Sequence, residues 1–222
     1  MQPDGDAMMP HREGGSAAAR PPVNPFATRW TRPGRVTARD ALGRPLDVVG
    51  LLGRLVELGG SAAVEGPHGS GKTTLLAALA AELARDGRLA AQVRVRSWRD
   101  AAALLRIVWG ARPAATVCVD SWEAIGVVPG IIVRGLACWR RCGLIVTSHR
   151  PTGLPPLWRC ETSVELLARI VASLPDDGGR MGIGDIRRSF ERHAGNLRES
   201  LLDLYDVFEG RRAAARAMVP SR

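Results

Sequence analysis

One glycine-rich turn constrains the fold of this chain more than any other feature. Residues 66–73, with the sequence GPHGSGKT, follow a short, mostly apolar segment at 61–65. After the turn, Leu75, Leu79 and Leu83 recur every four residues. The first segment is typical of a buried strand, and the leucine repeat is typical of a helix with one apolar face. We therefore expect a strand, a tight turn and a helix in direct succession, as in an α/β domain.

The composition of this turn suits the binding of a phosphate group. Its glycines permit close backbone approaches that a Cβ would block, so successive N–H groups can form an anion-binding nest at the positive end of the helix dipole. Lys72, the only lysine in the sequence, would reach the β- and γ-phosphates of a nucleotide, and the Thr73 hydroxyl would ligate Mg²⁺. An ordinary glycine-rich turn before a helix is the alternative interpretation. The predicted nucleotide-binding residues of this segment are Gly66, Pro67, His68, Gly69, Ser70, Gly71, Lys72, Thr73 and Thr74.

The chain is long enough to bury one core, with room for a small appended unit. It has 222 residues, of which 45% are hydrophobic, and it has no apolar run long enough to span a bilayer. Residues 1–22 are rich in Gly, Ala, Pro and charge and lack an apolar signal core. We therefore expect a disordered arm and a cytoplasmic protein.

The positive charge lies mainly near the ends of the sequence. The formal net charge is +9 and the isoelectric point is about 10.9, with arginines concentrated at 20–44 and 211–222. Such arms could contact nucleic-acid phosphates without sequence preference, although a coding bias towards arginine would produce the same excess.

No CxxC pair is present, so we expect reduced cysteines in the core. The cysteines are Cys118, Cys138, Cys142 and Cys160.

A second apolar segment places a carboxylate where a magnesium ion could use it. Residues 91–96 alternate between apolar and polar side chains and predict a strand, followed by a helix at about 99–109. Residues 115–120 form an apolar run that ends in Asp120, as in a buried parallel strand that delivers a side chain at its carboxyl end. Asp120 is the candidate partner of Mg²⁺, with a turn or helix-capping role as the alternative. Glu123 is the nearest candidate base for an attacking water, or else a first-turn helix glutamate.

Another predicted strand also ends in polar residues. A helix is expected at about 130–141 and a strand at 143–149, which ends in Thr147, Ser148 and His149. Any of these three side chains could touch a γ-phosphate or its water. A loop-capping role is the alternative for each of them.

The C-terminal part of the sequence predicts one more strand and then helices. A short fifth strand is expected at 159–162, and Thr162 with Glu165 forms a capping box before an apolar helix. A later segment carries an apolar stripe at helical spacing. The stripe consists of Leu197, Leu201, Leu204, Tyr205 and Phe208.

Together these elements resemble a known group of ATPases. A glycine loop, a strand ending in Asp120, a polar-tipped strand and a short fifth strand are the parts of the additional-strand (ASCE) group of P-loop NTPases. The stretch at 195–199, with the sequence GNLRE, looks like the sensor 2 segment in the helical lid of several AAA+ branches, which places the sensor at Arg198. The resemblance implies a three-layer α-β-α P-loop NTPase with a mainly parallel five-stranded sheet and a small C-terminal helical lid. It also implies ATP and Mg²⁺ as ligands, with Lys72, Glu123 and Arg198 as catalytic residues.

The resemblance also implies a domain organisation, with some departures from the family pattern. Residues 47–50, with the sequence DVVG, resemble the segment that contacts adenine in many AAA+ proteins. Ser121 directly follows Asp120, where AAA+ hydrolases usually carry the catalytic glutamate, so either Glu123 substitutes or turnover is slow. The expected divisions are a disordered arm at 1–22, an extended basic linker at 23–45, a P-loop ATPase core at 46–165, a helical lid at 166–210 and a basic tail at 211–222.

The expected function is that of an AAA+-like ATPase that couples Mg-ATP binding and slow hydrolysis to lid movement and engagement of a partner. A non-hydrolysing nucleotide-dependent switch or loader module and a small-molecule P-loop kinase are the alternatives. A kinase would need an acceptor site and would not need the GNLRE stretch. Arg150 and Arg159 lie where an arginine finger could project across a subunit boundary, so assembly into a homo-oligomer is left open. No contact with a membrane is expected.

Overall fold

The computed structural model describes residues 24–32, 34–175 and 181–218. Within these ranges the chain has an α/β fold, with eight helices and one five-stranded sheet in which all paired strands are parallel. The strands are β1 (Ser61–Glu65), β2 (Leu89–Arg94), β3 (Thr116–Asp120), β4 (Gly143–Ser148) and β5 (Pro156–Arg159). The helices are α1 (Thr28–Thr31), α2 (Val48–Glu57), α3 (Lys72–Arg85), α4 (Ala101–Gly110), α5 (Val127–Trp139), α6 (Val164–Ala172), α7 (Ile183–Arg192) and α8 (Leu197–Ala217).

The order of the strands brings the ends of β1, β3 and β4 together. The sheet has the order β2-β3-β4-β1-β5, so β4 lies between β1 and β3. Glu65 pairs with Ser148, and Val119 pairs with Val146, so all three strands end at the same edge. From β1 the chain continues to β2 at one side of the sheet, whereas from β4 it continues to β5 at the other. In open parallel sheets, ligands bind beyond the carboxyl ends of strands where neighbouring connections diverge in this way.

Helices cover both faces of the sheet, an arrangement compatible with a three-layer α/β fold. One apolar cluster joins α2 and α3 to strand residues that include Val64 and Ile145. A second cluster joins α4 and α5 to strand residues that include Ala63 and Val146. Because both faces are covered, β3 is buried along its whole length, and its sequence reads as a continuous apolar run rather than an alternating one.

A third apolar cluster joins the C-terminal helices. It contains buried side chains of α6, α7 and α8, among them Leu167, Ile186 and Leu204. The stripe predicted on the last helix is present, since Leu197, Leu201 and Leu204 are buried. These three helices form their own small core beside the carboxyl edge of the sheet.

The segment predicted as an extended basic linker at 23–45 instead packs against the C-terminal helices. Phe26 is 1% exposed, belongs to the third cluster and meets the Phe208 ring edge-on at 6.4 Å between centroids. The Asn24 side chain donates hydrogen bonds to the Tyr205 carbonyl at 3.3 Å and to Glu209 Oε1 at 2.9 Å. The start of this segment is therefore folded onto α8, where one buried aromatic ring anchors it, and its later part lies against α6, where a Cβ on Gly43 would overlap Arg169.

Several other boundaries differ from the predictions. The fifth strand begins at Pro156 rather than at 159, because Trp158 pairs with Val64 of β1. Helix α6 is capped by Ser163 rather than by Thr162, since the Ser163 hydroxyl accepts a hydrogen bond from the Leu166 N–H at 2.9 Å. Helix α8 extends to Ala217, into the predicted basic tail, and the predicted arm at 1–22 lies outside the described residues.

Two further properties of the described chain concern its helices and its cysteines. None of its helices has both the length and the apolar character needed to cross a membrane. The four cysteines are free; Cys118, Cys142 and Cys160 are buried, whereas Cys138 is exposed. Burial raises the pKa of the Cys118 thiol to about 12, so this side chain packs as a neutral apolar group.

The anchoring role of Phe26 gives a prediction about stability. Phe26→Ala should lower the free energy of unfolding by about 3–5 kcal/mol, because it removes a fully buried ring from the third cluster. Leu42→Ala, in the same segment at a side chain that is 61% exposed, should cost less than about 1 kcal/mol. Urea unfolding followed by circular dichroism measures both. Equal costs for the two variants would show that the segment is not anchored as described.

Candidate functional site

A cavity of about 360 Å³ lies at the carboxyl edge of the sheet, a size suited to a small ligand. One wall is the turn between β1 and α3, and another is formed by the ends of β3 and β4. The start of α8 and the segment around α1 close the remaining sides. The sheet, the C-terminal helices and the N-terminal segment therefore all contribute to one site.

The turn between β1 and α3 has the backbone shape that its glycines allow. Gly66, Gly69 and Gly71 have φ angles of 152°, 71° and 91°, which residues with a side chain rarely adopt. A Cβ on Gly66 would also collide with the Cys160 carbonyl. Helix α3 begins at Lys72, directly after Gly71, so its first backbone N–H groups point towards the cavity end of the helix. A helix end of this kind favours an anion.

The lysine of the turn is half-buried beside this helix end. Its Nζ donates hydrogen bonds to the carbonyls of Gly66 at 2.8 Å and Pro67 at 2.5 Å. Burial lowers the pKa of Lys72, while Cys160, Glu123 and Asp120 act in the opposite direction. The ammonium group is thus held by the loop itself and has two carboxylates nearby.

The Asp120 carboxylate joins three elements of the fold. Asp120 is 6% exposed and lies at the end of β3. The Thr73 hydroxyl lies 3.1 and 3.2 Å from its two oxygens, and the Thr147 hydroxyl donates to Oδ1 at 2.6 Å. Thr147 in turn accepts from the Ser121 N–H at 3.0 Å, and Arg94 Nε lies 3.7 Å from Asp120 Oδ2. Residues far apart in the sequence therefore form one hydroxyl–carboxylate cluster.

This cluster fits the ligand chemistry of a magnesium ion. The described residues contain no group of three or more His, Cys, Asp or Glu side chains arranged to hold a metal. Mg²⁺ does not require one, since it retains several waters and commonly takes one or two carboxylates together with substrate phosphates. Thr73 and Asp120 offer the oxygen ligands that such an ion prefers, next to a helix end that favours phosphate.

A glutamate and two histidines line the neighbouring wall. Ser121 has φ 64° and ψ 50°, a strained conformation for a residue with a side chain, and the short 3₁₀ turn Trp122–Ile125 follows it. Within this turn, Glu123 Oε1 lies 2.9 Å from His149 Nδ1. Glu123 Oε2 is buried and has no hydrogen-bond partner among the residues described. The His149 ring packs on His68 of the glycine turn, with 4.2 Å between centroids.

The start of α8 touches the glycine turn directly. Asn196 Oδ1 accepts hydrogen bonds from the N–H groups of Arg198 at 3.1 Å and Glu199 at 3.3 Å, which caps the helix. The same amide lies so close to Gly69 that a Cβ there would overlap it. Arg198 follows two residues later and lines the cavity with an exposed side chain. The sensor residue predicted from the sequence therefore lies at the same cavity as the turn.

Most of the residues predicted from the sequence meet at this cavity, and three do not line it. Gly66 and Pro67 contribute carbonyls to Lys72 from behind the cavity wall. The Ser148 hydroxyl accepts the Arg150 N–H at 3.0 Å and has the loop-capping role that was its alternative. The predicted residues that line the cavity are His68, Gly69, Ser70, Gly71, Lys72, Thr73, Thr74, Asp120, Glu123, Thr147, His149 and Arg198.

The predicted adenine-contacting segment at 47–50 lies elsewhere. Asp47 caps α2 by accepting the Gly50 N–H at 2.9 Å, and Val48 packs against the core between α2 and the sheet. The apolar wall of the cavity is formed instead by the N-terminal segment together with apolar side chains of α6 and α8. Sequence reasoning missed these residues as part of the site, and the only local signal for the N-terminal segment was the pair Phe26 and Trp30 in a basic stretch. The lining residues missed are Phe26, Thr28, Thr31, Arg32, Val36, Arg94, Ser121, Ile170, Leu197, Leu201 and Leu202.

The candidate arginine fingers are placed on the surface. Arg150 is exposed, and Arg159 lies 3.8 Å from Glu65 with most of its side chain in solvent. Arg140 lies over the rings of Trp109 and Trp139. Neither Arg150 nor Arg159 lines the cavity, so any role for them would require a second chain.

No protein-family model matches this chain, and no curated protein matches it significantly. The functional assignment therefore depends on the geometry and chemistry of the cavity.

The contact between the glycine turn and α8 gives a prediction about stability. Gly71→Ala should cost about 1–2 kcal/mol, because alanine at a positive φ is strained although its Cβ meets no neighbour. Gly69→Ala has the same strain and must also displace Asn196, whose capping is worth about 1 kcal/mol, so it should cost measurably more. Urea unfolding of the two variants tests the difference. A smaller loss for Gly69→Ala would exclude the contact.

Proposed function

We propose that this protein is a Mg-ATP-binding, AAA+-like ATPase of the P-loop type, which couples nucleotide binding and slow hydrolysis to movement of its C-terminal helices. The main support is the meeting of Thr73 and Asp120, 47 residues apart in the sequence, at the start of the helix that follows the glycine turn. A glycine-rich turn alone would not require this meeting. A phosphate loop that shares a magnesium ion with a second strand does require it.

The turn supplies the phosphate-binding groups in this proposal. The N–H groups at the start of α3 and the Lys72 ammonium would hold the β- and γ-phosphates. Burial lowers the pKa of Lys72, so an anionic ligand would restore a partner to a partly desolvated charge. Thr73 and Asp120 would hold Mg²⁺, which would neutralise developing charge on the phosphates.

Glu123 is the proposed base that activates the attacking water. Its Oε2 is buried beside the cavity without a partner, and an orphaned carboxylate oxygen of this kind gains most from a water or hydroxyl donor. Its other oxygen is engaged by His149, which orients the carboxylate. Ser121, rather than a glutamate, directly follows Asp120. Activation of the water would therefore depend on Glu123, three residues after Asp120, and hydrolysis would be slow.

The C-terminal helices would respond to the nucleotide through the turn that they touch. Asn196 lies against Gly69, and Arg198 lines the cavity. The start of α8 therefore contacts the same turn that is proposed to bind the phosphates. Arg198 would bind the γ-phosphate and draw the start of α8 inwards, and hydrolysis would release it. The N-terminal segment around Phe26 and Val36 would provide the apolar surface for the base.

A nucleotide-dependent switch without hydrolysis is the second candidate, and one observation favours it. Glu123 is already bound to His149 in the structure, an arrangement that could hold the carboxylate away from water. Such a protein would use the same cavity only for binding. Measurement of turnover alongside binding separates the two functions.

Replacement of Lys72 should weaken nucleotide binding. Lys72→Ala should weaken binding of Mg-ATP by at least about 100-fold, since a partly buried charge-assisted contact is lost. Arg85→Ala removes an exposed cation from the other end of α3 and should leave binding unchanged. Isothermal titration calorimetry measures these affinities. Retained affinity in the lysine variant would contradict the phosphate site.

Glu123→Gln should keep Mg-ATP affinity within about threefold and lower turnover by about 100-fold or more, because general-base catalysis contributes on that scale. Phosphate release under saturating ATP provides the rate. An unchanged rate would assign the base to another residue, and no measurable rate in the unaltered protein would favour the switch.

Arg198→Ala should reduce the preference for ATP over ADP by about tenfold, because the guanidinium is proposed to contact only the γ-phosphate. Arg216→Ala, at the far end of the same helix, is the matched control. Competition between the two nucleotides for a fluorescent analogue measures the ratio. If both variants keep the original preference, Arg198 is not a γ-phosphate sensor.

A further inference from the structure

Tryptophan and arginine side chains lie together along helix α4 and at the end of α5. Trp98, Trp109 and Trp139 are 67%, 57% and 66% exposed. Arg99 lies over the Trp98 ring, at 5.9 Å from its centroid. Arg140 lies over the rings of both Trp109 and Trp139, at 5.6 and 5.9 Å. Each of these three exposed indoles is therefore in contact with a guanidinium group.

These side chains belong to one continuous surface. The first tryptophan–arginine pair lies in the short 3₁₀ turn that leads into α4. Positions three or four residues apart share one face of a helix, so Ala102, Arg106 and Trp109 follow one another along α4, and all three are exposed. The Trp109 ring lies 5.5 Å from that of Trp139 between centroids, which joins α4 to the end of α5. We name this the Trp–Arg surface, which consists of Trp98, Arg99, Arg106, Trp109, Trp139 and Arg140.

Carboxylates are nearly absent from this part of the chain. Residues 101–160 contain seven arginines but only two acidic residues, whereas an even share of the 22 acidic residues in the sequence would be about six. These two are Asp120 and Glu123, and both line the cavity at the carboxyl edge of the sheet. Asp100, which precedes the stretch, accepts two backbone N–H groups at 2.7 and 3.1 Å. A coding bias towards arginine does not account for this lack of acidic residues.

The guanidinium groups of the Trp–Arg surface have no acidic partner. No carboxylate of the described residues forms an ion pair with Arg99, Arg106 or Arg140. Three uncompensated cations on one side of a domain create a positive potential that attracts a polyanion. The exposed indole rings beside these cations add flat apolar faces to the charge.

Single-stranded nucleic acid has the chemistry that fits such a surface. Its bases stack on aromatic rings, and arginine contacts its phosphates and adds cation–π interactions. In a duplex the bases are stacked on one another and are not free to do this. Trp98 and Trp109 are eleven residues apart in the sequence, which is roughly 16 Å along a helix at 1.5 Å per residue. This length corresponds to about five nucleotides at roughly 3.4 Å each.

The exposed face of α4 suits a nucleic-acid strand better than a lipid surface. Between its two tryptophan–arginine ends the helix exposes Ala102, Ala103 and Arg106, which are two small side chains and a cation. A helix that inserts into a membrane interface carries large apolar side chains at such positions. A nucleic-acid strand instead needs a shallow surface with cations beside aromatic rings.

We propose that the Trp–Arg surface binds single-stranded nucleic acid without sequence preference, with bases stacked on the indoles and phosphates bound by Arg99, Arg106 and Arg140. The inference does not depend on the proposed nucleotide chemistry, because none of the six residues lines the cavity. It also differs from binding through the arginine-rich ends of the sequence, since the whole surface lies within residues 98–140.

The first test measures the contribution of stacking. By fluorescence anisotropy, the unaltered protein should bind a labelled oligothymidylate of about 12 nucleotides with a micromolar dissociation constant at low salt. Trp109→Ala should weaken this binding at least about fivefold, because the stacking of one base is lost. Trp30→Ala is the matched control, since Arg29 lies over this ring but the segment packs on α8, and it should leave binding unchanged.

An abasic strand of the same length separates stacking from charge. It keeps the phosphates and lacks the bases, so the unaltered protein should bind it more weakly than the oligothymidylate. Trp109→Ala should leave the affinity for the abasic strand unchanged, because no base is present to stack on the ring.

The salt dependence of binding tests the arginines. Contacts with three phosphates of a single strand predict a slope of at least about 2 in magnitude when the logarithm of the binding constant is plotted against that of the salt concentration. Arg106→Gln should reduce this magnitude by about 0.7. Arg54→Gln, at an exposed position of α2 on the opposite face of the sheet, should leave it unchanged. Circular dichroism of each variant checks that it is folded.

Four results would overturn the proposal. The first is no binding of the oligothymidylate at low salt, including a protein that instead binds vesicles of anionic phospholipid. The second is equal binding of the abasic strand. The third is an equal loss of affinity in Trp109→Ala and Trp30→Ala. The fourth is binding that neither Trp109→Ala nor Arg106→Gln weakens, which would place the nucleic acid on the arginine-rich ends of the chain.

Discussion

The Asp120 carboxylate holds together the part of the structure on which everything else depends. A buried carboxylate is costly unless it is well hydrogen-bonded, and here the hydroxyls of Thr73 and Thr147 meet that requirement. These contacts fix the start of α3 against the ends of β3 and β4. The position of the glycine turn relative to the sheet therefore follows from one polar cluster, which lies between the two apolar layers of the core.

The central elements of the fold could be predicted because their sequences report burial on both sides. Strands β1, β3 and β4 are apolar runs, and the structure places each within one residue of its predicted bounds. Strand β5 was placed three residues too late, because it is short and lies at the edge of the sheet, where only Leu157 is fully buried. The local sequence gave little indication that the N-terminal segment is folded, because Phe26, which anchors it, packs on Phe208, 182 residues later.

The candidate site divides in the same way between local and distant information. The glycine turn could be read directly, because its backbone shape and its chemistry belong to eight consecutive residues. The pairing of Glu123 with His149, and the approach of Arg94 to Asp120, depend on strand order, which the sequence pattern did not specify. The N-terminal wall of the cavity depends on tertiary packing, and the sequence pattern had instead suggested residues 47–50, which do not line the cavity. Motifs thus predicted the residues of the glycine turn and of the strand ends, and three-dimensional packing determined the rest of the cavity.

The contact of Asn196 with Gly69 links the glycine turn to the whole length of α8. The helix has 21 residues and is therefore roughly 30 Å long, and its first turn lies against the glycine turn. Leu204 packs with α6 and α7, and Phe208 contacts Phe26, so α8 is held by its neighbours as far as Phe208. A displacement of the glycine turn would therefore move the C-terminal helices and the N-terminal segment together, and it would reach Ala217 at the far end of α8.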